Sequence, residues 1–172
     1  MKDLKEASHI LRIKLMRDRQ KRMLGLSQAS CIDEILARYN MQDSKKGFVP
    51  FRVVKSLYRN QYPKTNTEIE RMREIPYASV VGSLMYVMLC TRPDICFAVG
   101  MVSRYQSKPG EEHWIAVKYI LKYLRRTRDY MLIYQDESLE PIGYTDSNFQ
   151  SDIDSRKSTS GYVFTFGGGA IS

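Results

Sequence analysis

The middle of the chain reads YASVVGSLMYVMLC from Tyr77 to Cys90, and this stretch decides the fold class. Its apolar residues recur at spacings of three and four, which is the period of an α-helix with one broad buried face. The members of this stripe are Tyr77, Val80, Val81, Leu84, Met85 and Met88. A helix that begins at Asn66 or Thr67 precedes it and is broken or restarted at Pro76, because proline disrupts a helix interior. We therefore expect a helical centre.

Two further helices are predicted after Cys90. Pro93 and Asp94 suit a first helical turn, and this helix should run to about Ser107, where residues 108–110 close it. Glutamates at 111–112 then begin another helix. The residues that it turns toward the core are Trp114, Val117, Ile120, Leu121 and Leu124.

The N-terminal part predicts a strand hairpin followed by a helix. Apolar and basic residues alternate from Leu11 to Leu15, a turn follows at Asp18–Lys21, and Met23–Leu26 supplies the returning strand. Ser27 is suited to cap the next helix. The apolar positions of that helix are Ile32, Ile35, Leu36 and Tyr39.

The C-terminal part returns to a period of two after Asp129. Three strands are predicted, at Met131–Tyr134, Pro141–Ser147 and Tyr162–Phe166, with a strand-end turn at the glycines 167–169. We expect these strands to form one antiparallel sheet that is truncated, because a sheet with an apolar face needs a partner layer and none follows in the sequence. The fold class is α+β, with a helical middle and short antiparallel strands at both ends.

Composition restricts the class of partner and compartment. The 172 residues contain 27 Lys and Arg against 19 Asp and Glu, a net charge of +8 that favours nucleic acid or an acidic membrane surface. The three cysteines form no Cys-x-x-Cys pair, so neither a disulfide framework nor a zinc knuckle is expected. The N-terminus lacks the apolar core of a signal peptide, and the stretch 77–90 is too short to cross a bilayer. An intracellular location without a membrane partner is expected.

A basic stripe is predicted on the helix that begins at residue 111. Its members are Lys118, Lys122, Arg125 and Arg126, extended by Arg128. Residues at these spacings share one helical face, which could follow the phosphates of a duplex or could be an ordinary solvated surface. A weaker basic face is predicted on the first strand, at Arg12, Lys14 and Arg17.

Several motifs resemble the copia-type retrotransposon Pol polyproteins, where reverse transcriptase runs into ribonuclease H. Those that resemble the end of the reverse transcriptase are YASVVGSLMY at 77–86, TRPDI at 91–95, HW at 113–114 and LKYL at 121–124. Those that resemble the opening strands of ribonuclease H are GYTDSN at 143–148 and SRKSTSGYV at 155–163. Upstream, residues 1–4 and the run from Leu26–Gln28 to Tyr39–Met41 are similar to the last palm strands and the thumb.

The resemblance implies four segments. Residues 1–41 would be the distal palm hairpin and a thumb helix. Residues 42–66 would be a long connecting loop, which is interrupted by Gly47, Pro50 and Pro63. Residues 67–128 would be the helical thumb and connection, and 129–172 the first strands of a truncated ribonuclease H domain.

The family's catalytic groups are only partly matched. A polymerase of this family needs an Asp pair in a Tyr-x-Asp-Asp turn, and no Asp-Asp occurs in the 172 residues. Of the roughly four ribonuclease H carboxylates that would hold two Mg²⁺ ions, only Asp146 is matched. Strand alternation places Asp146 beside Ile142 and Tyr144, so its carboxylate is expected to lie among apolar neighbours. Lys5 and Cys31 also depart from the family's usual glycine and aromatic residue.

Three other polar residues are expected to be structural. Asp152 and Asp154 lie in a polar run between strands, where aspartate is common as a turn residue. His113 has no second ligand or nucleophile at a useful spacing, and Trp114 beside it is expected to anchor the core.

These observations predict a fragment of an RNA-directed DNA polymerase and ribonuclease H polyprotein that is inactive by itself. Mg²⁺ is implied for the complete enzyme and no cofactor for the fragment. The implied partners are an RNA–DNA hybrid or template-primer duplex and the rest of the polyprotein, in a cytoplasmic virus-like particle or the nucleus. Two alternatives stay open: a non-catalytic module that binds a nucleic-acid duplex through the basic helix face, and a relic without function.

Overall fold

A computed structural model describes residues 6–51, 57–135, 140–150 and 152–171. The motif at 1–4, the departure at Lys5 and the end at Ser172 lie outside the described residues. The helices are α1 (Ala29–Arg38), α2 (Asn66–Arg73), α3 (Tyr77–Cys90), α4 (Cys96–Ser103) and α5 (Glu111–Arg126), with 3₁₀ turns at Arg59–Gln61 and Pro93–Ile95. The strands are β1 (His9–Ile10), β2 (Ile13–Asp18), β3 (Met23–Ser27), β4 (Leu132–Tyr134), β5 (Ile142–Asn148), β6 (Thr159–Phe166) and β7 (Gly169–Ala170). The α+β class is confirmed.

The N-terminal sheet has four antiparallel strands in the order β1-β2-β3-β4. The predicted hairpin is present, but its first strand begins at Ile13 rather than Leu11. Leu11 and Arg12 have φ angles of 47° and 62°, so they form the turn between β1 and β2 instead of a strand. In the hairpin itself Leu15 lies opposite Leu26.

The helices enclose the main core. Val80, Val81 and Leu84 of α3 are completely buried, as the apolar stripe predicts. They pack with buried side chains of α1, α4 and α5 in one cluster. Within the described parts of the chain, no helix combines the length and the apolar composition needed to span a membrane.

The helix boundaries follow local capping chemistry. Thr65 is the N-cap of α2: its hydroxyl accepts the Glu68 N–H, and the Glu68 carboxylate accepts the Thr65 N–H, which together form a capping box. Ser27 lies one residue before the N-cap of α1, and its hydroxyl accepts the Ala29 N–H at 3.3 Å. Helix α4 ends at Ser103, four residues before the predicted end at Ser107. The chain leaves the helix there and buries Tyr105, whose hydroxyl donates to the Leu57 carbonyl.

The C-terminal sheet contains β5, β6 and β7, which pair antiparallel. The expectation that Met131–Tyr134 belongs to this sheet was wrong, because β4 pairs with β3, where Ile133 lies opposite Gly25. A period of two predicts a strand but not its partner. Gly167 and Gly168, with φ angles of 54° and 75°, form the predicted turn between β6 and β7.

Strand β4 connects the two sheets. The Tyr134 hydroxyl donates to the Ala170 carbonyl at 2.7 Å, and the Gln135 N–H donates to the Gly167 carbonyl at 2.8 Å. The β6–β7 turn is therefore held against the end of the N-terminal sheet.

Candidate nucleic-acid interface

Helix α5 presents the predicted basic stripe. Its buried side includes Val117, Ile120 and Leu124. On the other sides Lys118, Lys122 and Arg125 are half-buried, and Arg126 is exposed. Acidic residues occupy the first turn of α5 and arginines the last, an arrangement that complements the helix dipole.

The connecting loop packs directly against this face. The Gly47 N–H donates to the Lys122 carbonyl at 2.9 Å. A Cβ atom at Gly47 would lie 3.0 Å from the Lys122 Cβ and 3.1 Å from the Tyr123 nitrogen, so glycine permits the close approach. The sequence predicts only a loop here, and the two lysines at 45–46 beside Gly47 were the available signal of a basic contribution.

Phe48 is the residue of this loop that sequence reasoning missed. The Arg126 guanidinium carbon lies 4.1 Å from the centre of the Phe48 ring, which is cation–π distance. Phe48 nevertheless remains 76% exposed. An aromatic ring and an arginine are thus held together at the surface, beside the basic stripe.

A cleft of about 500 Å³ lies between α1, the loop and the end of α5. We call it the basic cleft; its lining residues are Asp33, Leu36, Gln42, Lys46, Arg125, Arg126, Arg128 and Asp129. Four cations and two carboxylates face it, so its formal charge is +2. Positive charge on a concave surface attracts phosphate groups.

Arg128 differs from the other basic residues of the stripe. One of its terminal nitrogens lies 2.9 Å from both carboxylate oxygens of Asp33, and its Nε lies 3.3 Å from Asp129. The charges of Asp33 and Asp129 raise the pKa of the Arg128 guanidinium. Arg128 therefore links α1 to the end of α5, and its charge is largely neutralised locally.

Lys118 and Lys122 lie farther toward the start of α5. Their ammonium groups lie 5.8 Å and 5.9 Å from the ring centres of Trp114 and Tyr119. Trp114 is half-buried against the core, as expected of an anchor. The structure thus places Arg125, Arg126 and Arg128 on the basic cleft. Lys122 lies where the connecting loop contacts α5, and Lys118 lies outside the cleft.

The weaker basic face on β2 is not a single surface. Arg12 lies in the β1–β2 turn and forms a 2.7 Å ion pair with Glu34. Lys14 and Arg17 are separated by an odd number of positions on β2, so their side chains point to opposite faces.

Asp146 lies on β5 opposite Gly161, and one of its carboxylate oxygens accepts the Ser147 N–H at 2.9 Å. The expectation of apolar surroundings was wrong: every residue of β5 is exposed, including Ile142 and Tyr144. A strand's alternation predicts which residues share a face, but burial also requires a second layer on that face.

The residues around Asp146 do not fit a Mg²⁺ site. Mg²⁺ is bound through several oxygens in near-octahedral geometry, whereas Asp146 contributes a single carboxylate. Across the described ranges, no three histidine, cysteine, aspartate or glutamate side chains form a group that could hold a metal ion.

Asp152 and Asp154 form a turn, as predicted, and also contact the helices. One Asp152 oxygen accepts the backbone N–H groups of Asp154 and Ser155, which help to lower the pKa of the Asp152 carboxyl. The other oxygen lies 3.0 Å from an Arg104 nitrogen. Both Asp154 oxygens accept the Arg59 N–H, at 3.0 and 2.9 Å.

Comparison with known proteins places this chain in a family. It is 49% identical over all 172 residues to the retrovirus-related Pol polyprotein from transposon TNT 1-94 of Nicotiana tabacum. Over 150 residues it is 33% identical to the Pol polyprotein from transposon RE2 of Arabidopsis thaliana. The chain belongs to the retrovirus-related Pol polyproteins. It spans 13% of the first of these Pol polyproteins and 10% of the second.

A further relative of this Pol segment carries a different name. The secreted RxLR effector protein 161 of Plasmopara viticola is 43% identical over 102 residues, which is 59% of this chain and 72% of that protein. No protein-family model matches the Pol segment. No solved structure matches it either.

Proposed function

We propose that this Pol segment holds a template-primer duplex or RNA–DNA hybrid for the larger polyprotein without performing catalysis. The observation that carries the proposal is the convergence of Lys46, Arg125 and Arg126 on one cleft, with Lys122 at its edge. Three of these residues stand on one rigid helix, and the fourth is tied to that helix through its neighbour Gly47. Phosphate contacts from such a surface position a duplex without reading its sequence.

The basic residues have different roles in this proposal. Lys46, Lys122, Arg125 and Arg126 contact phosphates, because none of them forms an ion pair within the described part of the chain. Lys118 contributes long-range attraction from the start of the stripe. Arg128 acts as a brace between α1 and α5, since Asp33 and Asp129 already neutralise its charge.

Membership of the Pol polyproteins supports a proposal about the reactions of the complete polyprotein rather than about this chain alone. We propose that residues 1–41 and 67–128 belong to the reverse transcriptase, where 67–128 is the helical thumb and connection and 42–66 is a connecting loop. Residues 129–172 begin the ribonuclease H domain. Asp146 would then be a Mg²⁺ ligand only when further carboxylates of the polyprotein join it. The isolated chain is expected to show neither polymerase nor ribonuclease H activity, and Mg²⁺-dependent cleavage of an RNA–DNA hybrid by the purified chain would contradict this.

The duplex-binding proposal is tested by fluorescence anisotropy with a blunt RNA–DNA hybrid over a range of salt concentrations. We expect the logarithm of the affinity to fall linearly with the logarithm of the salt concentration, independently of sequence. Replacing two phosphate-contacting arginines, Arg125→Gln with Arg126→Gln, should lower the magnitude of that slope by about 2, at roughly 0.9 per phosphate contact.

The matched control is Arg71→Gln with Arg73→Gln in α2. These arginines also occupy the last turn of a helix, so the control removes the same charge from the same kind of position. It should leave most of the salt slope intact. Equal losses in both double variants would show that net charge, rather than the basic cleft, binds the hybrid and would overturn the proposal.

A further inference from the structure

Phe48 has the exposure of a stacking platform. Arg126 covers one face of its ring at 4.1 Å, yet the residue remains 76% exposed. Val49 beside it is 46% exposed. An exposed aromatic ring in contact with a basic cleft combines the two elements with which proteins hold single-stranded nucleic acid, a stacking surface and neighbouring positive charge.

The ring is held in place before any ligand arrives. The preceding residue, Gly47, is tied to the Lys122 carbonyl by its backbone N–H at 2.9 Å. The following contact, between Phe48 and Arg126, joins the same loop to the last turn of α5. Two attachments within two residues fix the ring against the helix, and such preorganisation reduces the entropy lost on binding.

We propose that Phe48 stacks against an unpaired base, so that the basic cleft binds the boundary between a duplex and a single-stranded overhang. The inference rests on the proposed function, because Lys46, Arg125 and Arg126 supply the phosphate contacts beside the ring. Bases within a duplex already stack on both faces, whereas the first unpaired base offers a free face to Phe48. Phe48 is therefore assigned as the residue that stacks on the first unpaired base beside the duplex.

The test compares two probes with the 172-residue chain. One is the blunt RNA–DNA hybrid, and the other is the same hybrid with a five-nucleotide extension that carries 2-aminopurine at its first unpaired position. We expect the extension to raise the affinity about tenfold, the typical effect of one stacked base. Stacking should also quench the 2-aminopurine fluorescence.

The variants separate stacking from charge. Phe48→Ala should remove the tenfold advantage and the quenching, whereas its loss of blunt-hybrid affinity should be small, because Arg126 keeps its charge without the ring. Phe48→Tyr should retain both the advantage and the quenching. Phe149→Ala is the matched control, because Phe149 is another exposed phenylalanine, 82% exposed, at the β5–β6 turn. It should behave like the unmodified chain.

The outcomes distinguish the two proposals. Salt-dependent binding of the blunt hybrid without any effect of the extension would overturn the stacking proposal and retain the proposed function. An equal loss of affinity for both probes in Phe48→Ala would also overturn the stacking proposal, since the ring would then act only by holding Arg126. Failure to bind either probe would overturn both proposals.

Discussion

The rings of Tyr105 and His113 stack with their centres 4.0 Å apart and their planes inclined by only 12°. The Tyr105 hydroxyl donates to the Leu57 carbonyl at 2.9 Å, and His113 Nδ1 accepts the Gly110 N–H at 2.8 Å. Burial and the neighbouring Asp154 raise the pKa of Tyr105 to about 12. This pair joins the segment after α4, the start of α5 and the connecting loop beneath the surface.

His113 makes the stability of the fold sensitive to mild acid. The side chain is fully buried, and burial lowers the pKa of its imidazole below the ordinary value, although the Tyr58 backbone and Asp154 act in the opposite direction. The unfolded chain therefore binds a proton at this residue more readily than the folded chain. Stability should be complete above the ordinary histidine pKa of about 6.5 and should fall as the pH is lowered through that value toward the folded pKa.

Urea unfolding at pH 7.5 and pH 5.5 measures this effect. The second histidine, His9, is exposed and provides the control. His113→Phe should lose about 1 kcal/mol at pH 7.5 because the Gly110 N–H loses its acceptor, but its stability should depend less on pH. His9→Gln should retain the full pH dependence. A His113→Phe variant with unchanged pH dependence would refute the assignment.

Arg92 is predicted to be the most important charged residue for stability. It is 2% exposed, and its guanidinium donates to the Asp94 carboxylate at 2.9 and 2.7 Å and to the Thr127 carbonyl and hydroxyl at 3.0 and 2.6 Å. Burial alone would raise the pKa of the Asp94 carboxyl, but the hydrogen bonds and charge of Arg92 lower it. Arg92→Met should cost about 3 kcal/mol because it leaves a partly buried carboxylate without its cation.

The control for Arg92 is an exposed ion pair. Arg12 and Glu34 lie 2.7 Å apart, with both side chains more than half exposed. Arg12→Met should cost less than about 1 kcal/mol in the same unfolding assay. Arg92→Lys should not keep the stability of the unmodified chain, since a lysine cannot reproduce the planar guanidinium that binds Asp94 and Thr127 together. Full stability in Arg92→Lys would mean that charge alone matters at this position.

The sequence predicted the helices better than the strand partners because a helix is a local structure. The spacing in Tyr77–Cys90 determines one buried face, and Pro76 separates α2 from α3. The pairing of β4 with β3 depends on residues more than a hundred positions apart, for which alternation contains no information. Likewise, the exposure of Asp146 depends on what packs against β5 rather than on the alternation of β5 itself.

The candidate interface was predicted only in part for the same reason. The stripe on α5 follows from helical spacing, so Lys118, Lys122, Arg125 and Arg126 could be named from the sequence. Gly47 and Phe48 contact that stripe through tertiary interactions. They belong to a loop without a periodic pattern, so the sequence does not predict these contacts. Arg128 was grouped with the stripe by charge, whereas its neutralisation by Asp33 requires the position of α1.

Glycine positions that look equivalent in the sequence should respond oppositely to alanine. A Cβ atom at Gly110 would lie 1.8 Å from the Gln61 carbonyl oxygen, so Gly110→Ala should destabilise the fold by about 3 kcal/mol. At Gly82 and Gly100, both within helices, a Cβ atom meets nothing within 4 Å. Alanine at either position should add about 0.5–1 kcal/mol through helix propensity. Thermal unfolding of the three variants checks the order, and a neutral Gly110→Ala would contradict the contact.

The turn at Asp152 and Asp154 is expected to hold the C-terminal sheet against the helices. Asp152 pairs with Arg104 at 3.0 Å, and Asp154 accepts the Arg59 N–H with both oxygens. Replacing both residues by asparagine removes the charge from these contacts and should cost only about 1 kcal/mol overall, because they lie near the surface. The local effect should be larger, since β5 and β6 bury little apolar area of their own.

Hydrogen exchange measured by mass spectrometry separates the local effect from the global one. In the double variant, amides of β5 and β6 should exchange at least several-fold faster, while those of α3 and α5 keep their protection. Asp129→Asn is the control, because it removes one exposed carboxylate that pairs only with Arg128 among the ion pairs of the described residues. Faster exchange in the helices as well would show that the turn supports the whole fold. Unchanged exchange in β5 and β6 would show that Tyr134 and the following Gln135 hold the C-terminal sheet without the turn.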